Sequence, residues 1–335
     1  MIKSLQSLRF VFALMIFLHH SAVTLPVFGA FPVSFFLILS GFVLMKNYGD
    51  RIADMSLREF VTKRILRIYP THLLCLVIAI IICLWVSYPI NMRNTLPSFF
   101  MLQAWIPIKD VYFAGNSVSW YVSVIVFCYL IFPFLVKAFN KNTTIIVVLS
   151  ISLYILGCLF IPQAYQHAFL YINPLFRSVD FILGMWIYLV LRDNKLSMFK
   201  CRILKFNLGG KLFVELFALL FSLCAIIIGI KYNNAFTFAL LWWIPSLLLI
   251  YIFSVLEKSP GLITKILQFK PLVTLGSISY AFYLLHRTVL VANNHFMNIH
   301  PINYVLDGFV VLSIIIILAY FVTYYFEPLF KKHRK

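Results

Sequence analysis

Apolar residues run through this chain in long, nearly unbroken stretches from end to end, with the charged residues gathered between them. A hydrocarbon core about 30 Å thick takes roughly 20 apolar residues as helix. Ten spans are predicted, at 8–25, 29–45, 69–88, 117–136, 143–161, 175–191, 212–230, 235–256, 272–292 and 304–326. The segment 97–107, PSFFMLQAWIP, is too short to cross and carries Gln103, so it is expected to lie at an interface or to re-enter. The fold class that follows is all-α: a polytopic transmembrane helical bundle, one domain over residues 1–335, without linker, low-complexity tract or clear repeat.

The loops alternate in charge. Lys46, Arg51, Arg58, Lys63, Arg64 and Arg67 lie between the second and third spans. Arg192, Lys195, Lys200, Arg202, Lys205 and Lys211 lie between the sixth and seventh, and the tail ends Lys331, Lys332, His333, Arg334, Lys335. The other loops are poor in Lys and Arg, with Arg93, Lys109 and Lys231 among the few. Basic loops stay cytoplasmic, so an even number of spans puts both termini inside.

Composition agrees. Of the 335 residues 63% are hydrophobic and 11% charged, against about a quarter charged in soluble proteins. A net charge of +18 would point to nucleic acid in a soluble protein. Here the basic residues fall between hydrophobic spans, and nucleic-acid binding is set aside. The six cysteines contain no CxxC pair and read as small hydrophobes rather than a disulfide frame or metal site. The first apolar stretch lacks a small-residue cleavage site, which marks it as a retained helix.

Against this background ionisable residues inside the spans are costly and informative. In SLRFVFALMIFLHH, residues 7–20, Arg9 and His20 are eleven residues apart. That is about 16 Å along a helix, three turns and about 20°, so the two share a face while His19 points roughly 80° away. A histidine so placed suits either a hydrogen bond between packed helices or a general base or proton carrier. Arg64 and Arg67, in KRILRIYP, are neighbours on one helix face, placed either to grip a phosphate or to anchor on lipid headgroups. Ser40-Gly41 lets a backbone or a ligand approach closely. Arg177 and Asp180, three apart, are expected to pair, with an acceptor-site role as the alternative. His286 lies deep in the ninth span, facing an acceptor or a water-filled cavity. Glu327 reads as structural. Trp242-Trp243 reads as packing, with sugar stacking as the alternative.

These stretches, taken in order, resemble the acyltransferase-3 family of bacterial membrane enzymes. LRFVFALMIFLHH resembles its opening helix, with Arg, ten residues, then His: Arg9 and His20 fit, His19 does not. FFLILSGFVL resembles its FFxxSGF segment, KRILRIYP its Arg-x-x-Arg-Ile-x-Pro segment and SVSWYVSVIVFCYLIFP its Trp-containing helix. PLFRSVDFILGM is similar to its Arg-x-x-acid helix, LGSISYAFYLLH to its Gly-x-Ile-Ser-Tyr helix and YYFEPLF to its closing Glu-x-Pro stretch. One departure stands out. Ile125 and Val126 occupy positions where many members carry two acids. If such an acid orients the histidine in relatives, Tyr121, Ser119, Ser123, Asp180 or His286 must replace it here.

The resemblance implies an integral-membrane acyltransferase of the bacterial inner membrane. It would move an acyl group, usually acetyl, from cytoplasmic acyl-coenzyme A to a hydroxyl of a surface carbohydrate or its lipid-linked precursor. It further implies His20 as catalytic base or acyl carrier, and Arg9, Arg64 and Arg67 as donor-binding residues. Ser40, Ser119, Trp120, Tyr121, Arg177, Asp180 and His286 are possible supporting or acceptor-side residues. Acetyl-CoA is a co-substrate, and neither a permanently bound cofactor nor a metal is expected. Expected partners are acyl-CoA, the glycan acceptor and membrane lipid, with a homo-oligomer or other envelope-biosynthesis proteins possible. No fused extracytoplasmic domain is expected in this length. The competing classes are a transporter or exporter and a scaffold of envelope assembly, for which the spacing of the arginines from His20 would have no purpose.

Overall fold

The structure, a computed structural model, describes residues 2–21, 27–87, 89–193, 195–232, 234–299 and 304–334. The helices are α1 (Lys3–His20), α2 (Val27–Tyr48), α3 (Leu57–Trp85), α4 (Met92–Phe99), α5 (Lys109–Tyr112), α6 (Trp120–Phe160) and α7 (Gln163–Gln166). They continue with α8 (Pro174–Arg192), α9 (Ser197–Lys205), α10 (Leu208–Lys231), α11 (Leu240–Val255), α12 (Leu262–Leu267), α13 (Lys270–Ile299) and α14 (Tyr304–Phe321). No strand occurs among the described residues.

The all-α class holds, and seven helical stretches among the described residues are long and apolar enough to cross a membrane. They are α2, α3, α6, α8, α10, α11 with the turn before it, and α14 with the turns after it. The expected spans 117–136 and 143–161 form one 41-residue helix, α6, which breaks at Asn142 (φ −159°, ψ 92°). The third span starts earlier than expected, at Leu57. Ser56 caps it, accepting the Glu59 N–H at 3.1 Å, and a Lys63–Glu59 pair at 2.9 Å supports its first turns. The basic stretch with Arg64 and Arg67 is therefore helical and continuous with the span. Residues 22–25 of the first expected span lie outside the described residues.

The segment around 97–107 forms only the short α4 and a turn at Gln103–Trp105. Gln103 is fully buried and donates from Nε2 to the Ser119 carbonyl at 2.9 Å. His72 Nε2 meets the Ser98 carbonyl at 2.8 Å. The first bond ties the segment to the head of α6 and the second ties it to α3.

Two close helix pairs position the polar residues. At the α2–α8 crossing a Cβ on Gly41 would collide with the Phe181 backbone, and one on Gly184 with the Ile38 backbone. Ser40-Gly41 thus serves helix packing through its glycine. α1 lies beside α13 in the same direction: Gln6 meets Gly276, Phe10 and Phe17 meet Phe282, and His20 meets His286. The start of α1 is fixed by Glu257, which accepts the Lys3 N–H at 2.7 Å and the Ser4 hydroxyl at 2.8 Å. Of the cysteines, Cys75, Cys83, Cys128 and Cys158 are buried, whereas Cys201 and Cys224 are exposed.

Candidate functional site

His20 is the last residue of α1, and His286 lies opposite it on α13. His286 Nε2 is 3.1 Å from His20 Nδ1. Their other contacts fix where the protons sit. His286 Nδ1 meets the Tyr283 carbonyl at 2.5 Å, and a carbonyl only accepts. A neutral His286 therefore carries its proton on Nδ1 and presents a lone pair at Nε2. His20 Nδ1 also meets the Ile16 carbonyl, at 3.0 Å, so it too carries the proton and shares it between Ile16 and His286. The lone pair of His20 is left on Nε2. His286 is fully buried and His20 half-buried. The expectation that His286 faces an acceptor or a cavity gives way to a contact with His20 itself.

Toward the basic end of the bundle a second polar group converges. Arg9 is within electrostatic reach of Arg67, Tyr121, Tyr129 and Glu327. Arg64 interacts with Arg67, donates to the Tyr48 hydroxyl and holds its guanidinium 4.4 Å from the Tyr48 ring. Arg64 is half-buried and Arg67 exposed. Glu327 accepts from the Thr71 hydroxyl at 3.1 Å. Tyr121 lies near Ser40 and sits 5.6 Å, ring to ring, from Tyr283, whose hydroxyl donates to the Val118 carbonyl at 2.7 Å. A polar line thus runs from the arginines through Tyr121 and Ser40 toward the histidine pair.

Other expected site residues lie elsewhere. Ser119 is fully buried and tied to Gln103, so it helps hold the segment around Gln103. Ser123 is buried. Ile125 and Val126 are buried apolar residues. Arg177 and Asp180 are both fully buried and 3.5 Å apart. Arg177 donates to the Phe238 carbonyl at 2.9 Å and to Ser34 at 3.2 Å, and Asp180 accepts from Trp243 Nε1 at 3.1 Å. Trp242 is buried against Phe31. This network joins α2, α8 and α11, so the pairing expected from the spacing is present, and the Arg177 guanidinium also lies 5.8 Å from the Tyr171 ring.

Sequence reasoning named Trp120 but missed the rings it meets near the C-terminal end of α1. Tyr171 lies 5.0 Å from Trp120, 5.2 Å from His167 and 5.8 Å from Phe238. His167 Nδ1 is 3.2 Å from the Tyr112 hydroxyl. Burial, with Lys109 nearby, holds His167 below the ordinary histidine pKa. A π-helix, His167–Ile172, brings His167 and Tyr171 together, a rare geometry that often marks functional sites. His19 and the Tyr171 hydroxyl converge over Gly29, and the His19 ring is 4.8 Å from that of His20. No spacing in the sequence links these four segments. Among the described residues no group of three or more His, Cys, Asp or Glu is placed to hold a metal ion.

Long apolar helices around half-buried arginines, a buried Arg177–Asp180 pair and a histidine pair define a polytopic membrane protein with internal polar groups. The chain belongs to the acyltransferase-3 family, whose model, described as an acyltransferase domain, matches residues 2–327. It is similar to the peptidoglycan O-acetyltransferase OatA of Listeria monocytogenes, with 21% identity over 86% of this chain and 49% of that protein. It is also similar to the acyltransferase MdmB of Streptomyces mycarofaciens, with 28% identity over 42% of this chain and 40% of that protein. These alignments span less than half the length of either relative. No solved structure matches.

Proposed function

We propose that this protein is an integral-membrane O-acyltransferase of the bacterial inner membrane. It transfers an acyl group, acetyl in the first instance, from cytoplasmic acyl-CoA to a hydroxyl of a surface carbohydrate or its lipid-linked precursor. The observation that carries this reading is the His20–His286 contact, which frees His20 Nε2 to act as a base. The family supports acyl transfer, and the similarity to a peptidoglycan O-acetyltransferase supports a glycan hydroxyl as acceptor.

In this reading α1, α13 and the second half of α6 also cross, giving ten spans with both termini cytoplasmic. The basic ends of α3 and α8 then face the cytoplasm. Arg64 and Arg67 meet the phosphates of the donor, and Arg9 meets the deeper part. The pantetheine arm follows the line past Tyr121 and Ser40, covering the about 16 Å between Arg9 and His20. The acceptor comes from the other end, where the rings of Tyr112, Trp120, His167 and Tyr171 surround the approach to His19 and His20.

His20 Nε2 takes the proton of the acceptor hydroxyl as that oxygen attacks the thioester carbonyl carbon. As His20 becomes an imidazolium, its Nδ1–H points at the Nε2 lone pair of His286. A neutral imidazole thus does the orienting work that the acids missing at Ile125 and Val126 would do. The C–S bond breaks, and the proton passes from His20 to the departing sulfur. Placement of an activated thioester beside a base suffices for such a step, with general-base help on the order of 10²–10⁴ in rate.

Mass spectrometry of envelope glycans with and without the gene tests the reading. Loss of one acyl increment is expected; identical glycan spectra in both strains contradict it.

A further inference from the structure

At the basic end of the bundle a cavity of about 270 Å³ opens between the end of α2, the part of α6 just before its break and the end of α8. Its walls are of two kinds. Met45, Ile52 and Val136 are buried apolar side chains, while Asp50, Lys137 and Asn140 are exposed polar ones. Asp50 is held in place by Arg192 at 3.1 Å, and Arg192 also binds Asp193 at 2.7 Å. The two acids balance Arg192 and Lys137, so the wall carries hydrogen-bonding groups without a large net charge. An anion alone would gain little here.

The cavity adjoins the arginine group. Gly49 lines it, and the preceding residue, Tyr48, binds Arg64 through both hydroxyl and ring. A ligand that reached both places would therefore have a flat or apolar polar-edged end in the cavity and an anionic part at Arg64 and Arg67.

We propose that this cavity holds the adenine ring of acyl-coenzyme A, an inference that rests on acyl-CoA being the donor. A purine needs apolar surfaces against its faces and, at its edge, an acceptor for the exocyclic amine and a donor for a ring nitrogen. The exposed Ala53 and the edge of Ile52 supply the first, over a floor closed by Met45 and Val136, the Asp50 carboxylate the second and the Asn140 amide the third. Lys137 lies at the same wall for a phosphate, and the pyrophosphate runs toward Arg64. The volume is just below the about 300–1,000 Å³ of whole small-molecule sites, as expected where one end of a long ligand docks. Base recognition and phosphate recognition are thus divided between a balanced cavity and a cationic helix face.

Binding to the full-length protein in lipid nanodiscs tests this, with coenzyme A, pantetheine and adenosine 3′,5′-bisphosphate as probes. Ala53→Trp places an indole in the cavity from an exposed position, and Asn140→Ala removes the edge amide. The bisphosphate is expected to compete with coenzyme A on the unaltered protein. Both variants are expected to weaken coenzyme A about tenfold or more and to leave pantetheine binding as it was. Unchanged coenzyme A affinity in both variants overturns the adenine assignment alone, as does an equal loss for pantetheine. Failure of coenzyme A to bind the unaltered protein overturns the donor reading and this inference with it.

Discussion

His286 Nε2 stands 3.1 Å from His20 Nδ1, across 266 residues of chain, and the Tyr283 carbonyl behind it fixes which nitrogen carries the proton. In the proposed mechanism this makes His286 a positioning residue: together with the Ile16 carbonyl it holds the tautomer of His20, without touching the reacting atoms. His286→Gln keeps a carbonyl oxygen that accepts from His20 Nδ1–H, whereas His286→Leu offers none. Turnover with acetyl-CoA is expected to fall in both, by more in the leucine variant, with the acetyl-CoA KM within about twofold of the parent. Equal turnover in the two variants would remove the proton-fixing role.

In the proposed mechanism the arginines divide donor binding unequally. Arg67 is exposed, while Arg64 is half-buried and engaged with Tyr48. Losing a charge-assisted contact costs about 1.5–3 kcal/mol, roughly ten- to a hundredfold in affinity. Arg67→Ala is expected to raise the acetyl-CoA KM by that order with a smaller change in kcat. Arg64→Lys keeps the charge but loses the planar fork and stacking, so a rise in KM is expected there too. Steady-state kinetics at varied acetyl-CoA reads both.

Much of the bundle was legible because run length is a direct measure of membrane thickness: α2, α8 and α10 fall close to their expected spans. The break at Asn142 was legible in the polar stretch between two apolar runs, KAFNKNTT. Arg9 and His20 were legible as one helical stripe, and Arg177–Asp180 as a pair, because both follow from spacing within a helix. The partner of His20 was not, since nothing local in the sequence ranks His286 above Tyr121 or Asp180; only the packing of α13 beside α1 does. The early start of α3 was missed because its first turns are amphiphilic and charged, which hydropathy reads as loop. Of the ring cluster only Trp120 was named, because a π-helix, the end of the short α5, the first residue of α6 and the turn at Phe238 build it.

Glycine rather than serine governs the packing of the Ser40-Gly41 pair. A Cβ at Gly41 would run into the backbone at Phe181, which cannot turn away as a side chain can. Gly41→Ala is expected to destabilise by about 1–3 kcal/mol through overpacking. Ser40→Ala should leave thermal unfolding near the parent. Thermal unfolding in detergent compares the two.

The Arg177–Asp180 network predicts an asymmetry between single and double changes. Removing one member of a buried pair leaves the other charge uncompensated, at a cost of about 3–5 kcal/mol. Arg177→Met or Asp180→Leu alone is therefore expected to lower the unfolding temperature strongly. The double variant should recover part of the loss. Additive losses would show that the two residues act separately.

The central claim is that His20 is the base for acyl transfer, and purified His20→Ala tests it most directly. Acetyl transfer from acetyl-CoA to a chito-oligosaccharide probe is measured beside the direct binding of coenzyme A. Turnover is expected to fall on the order of 10²–10⁴-fold with coenzyme A binding intact. Turnover equal to that of the unaltered protein would contradict the account.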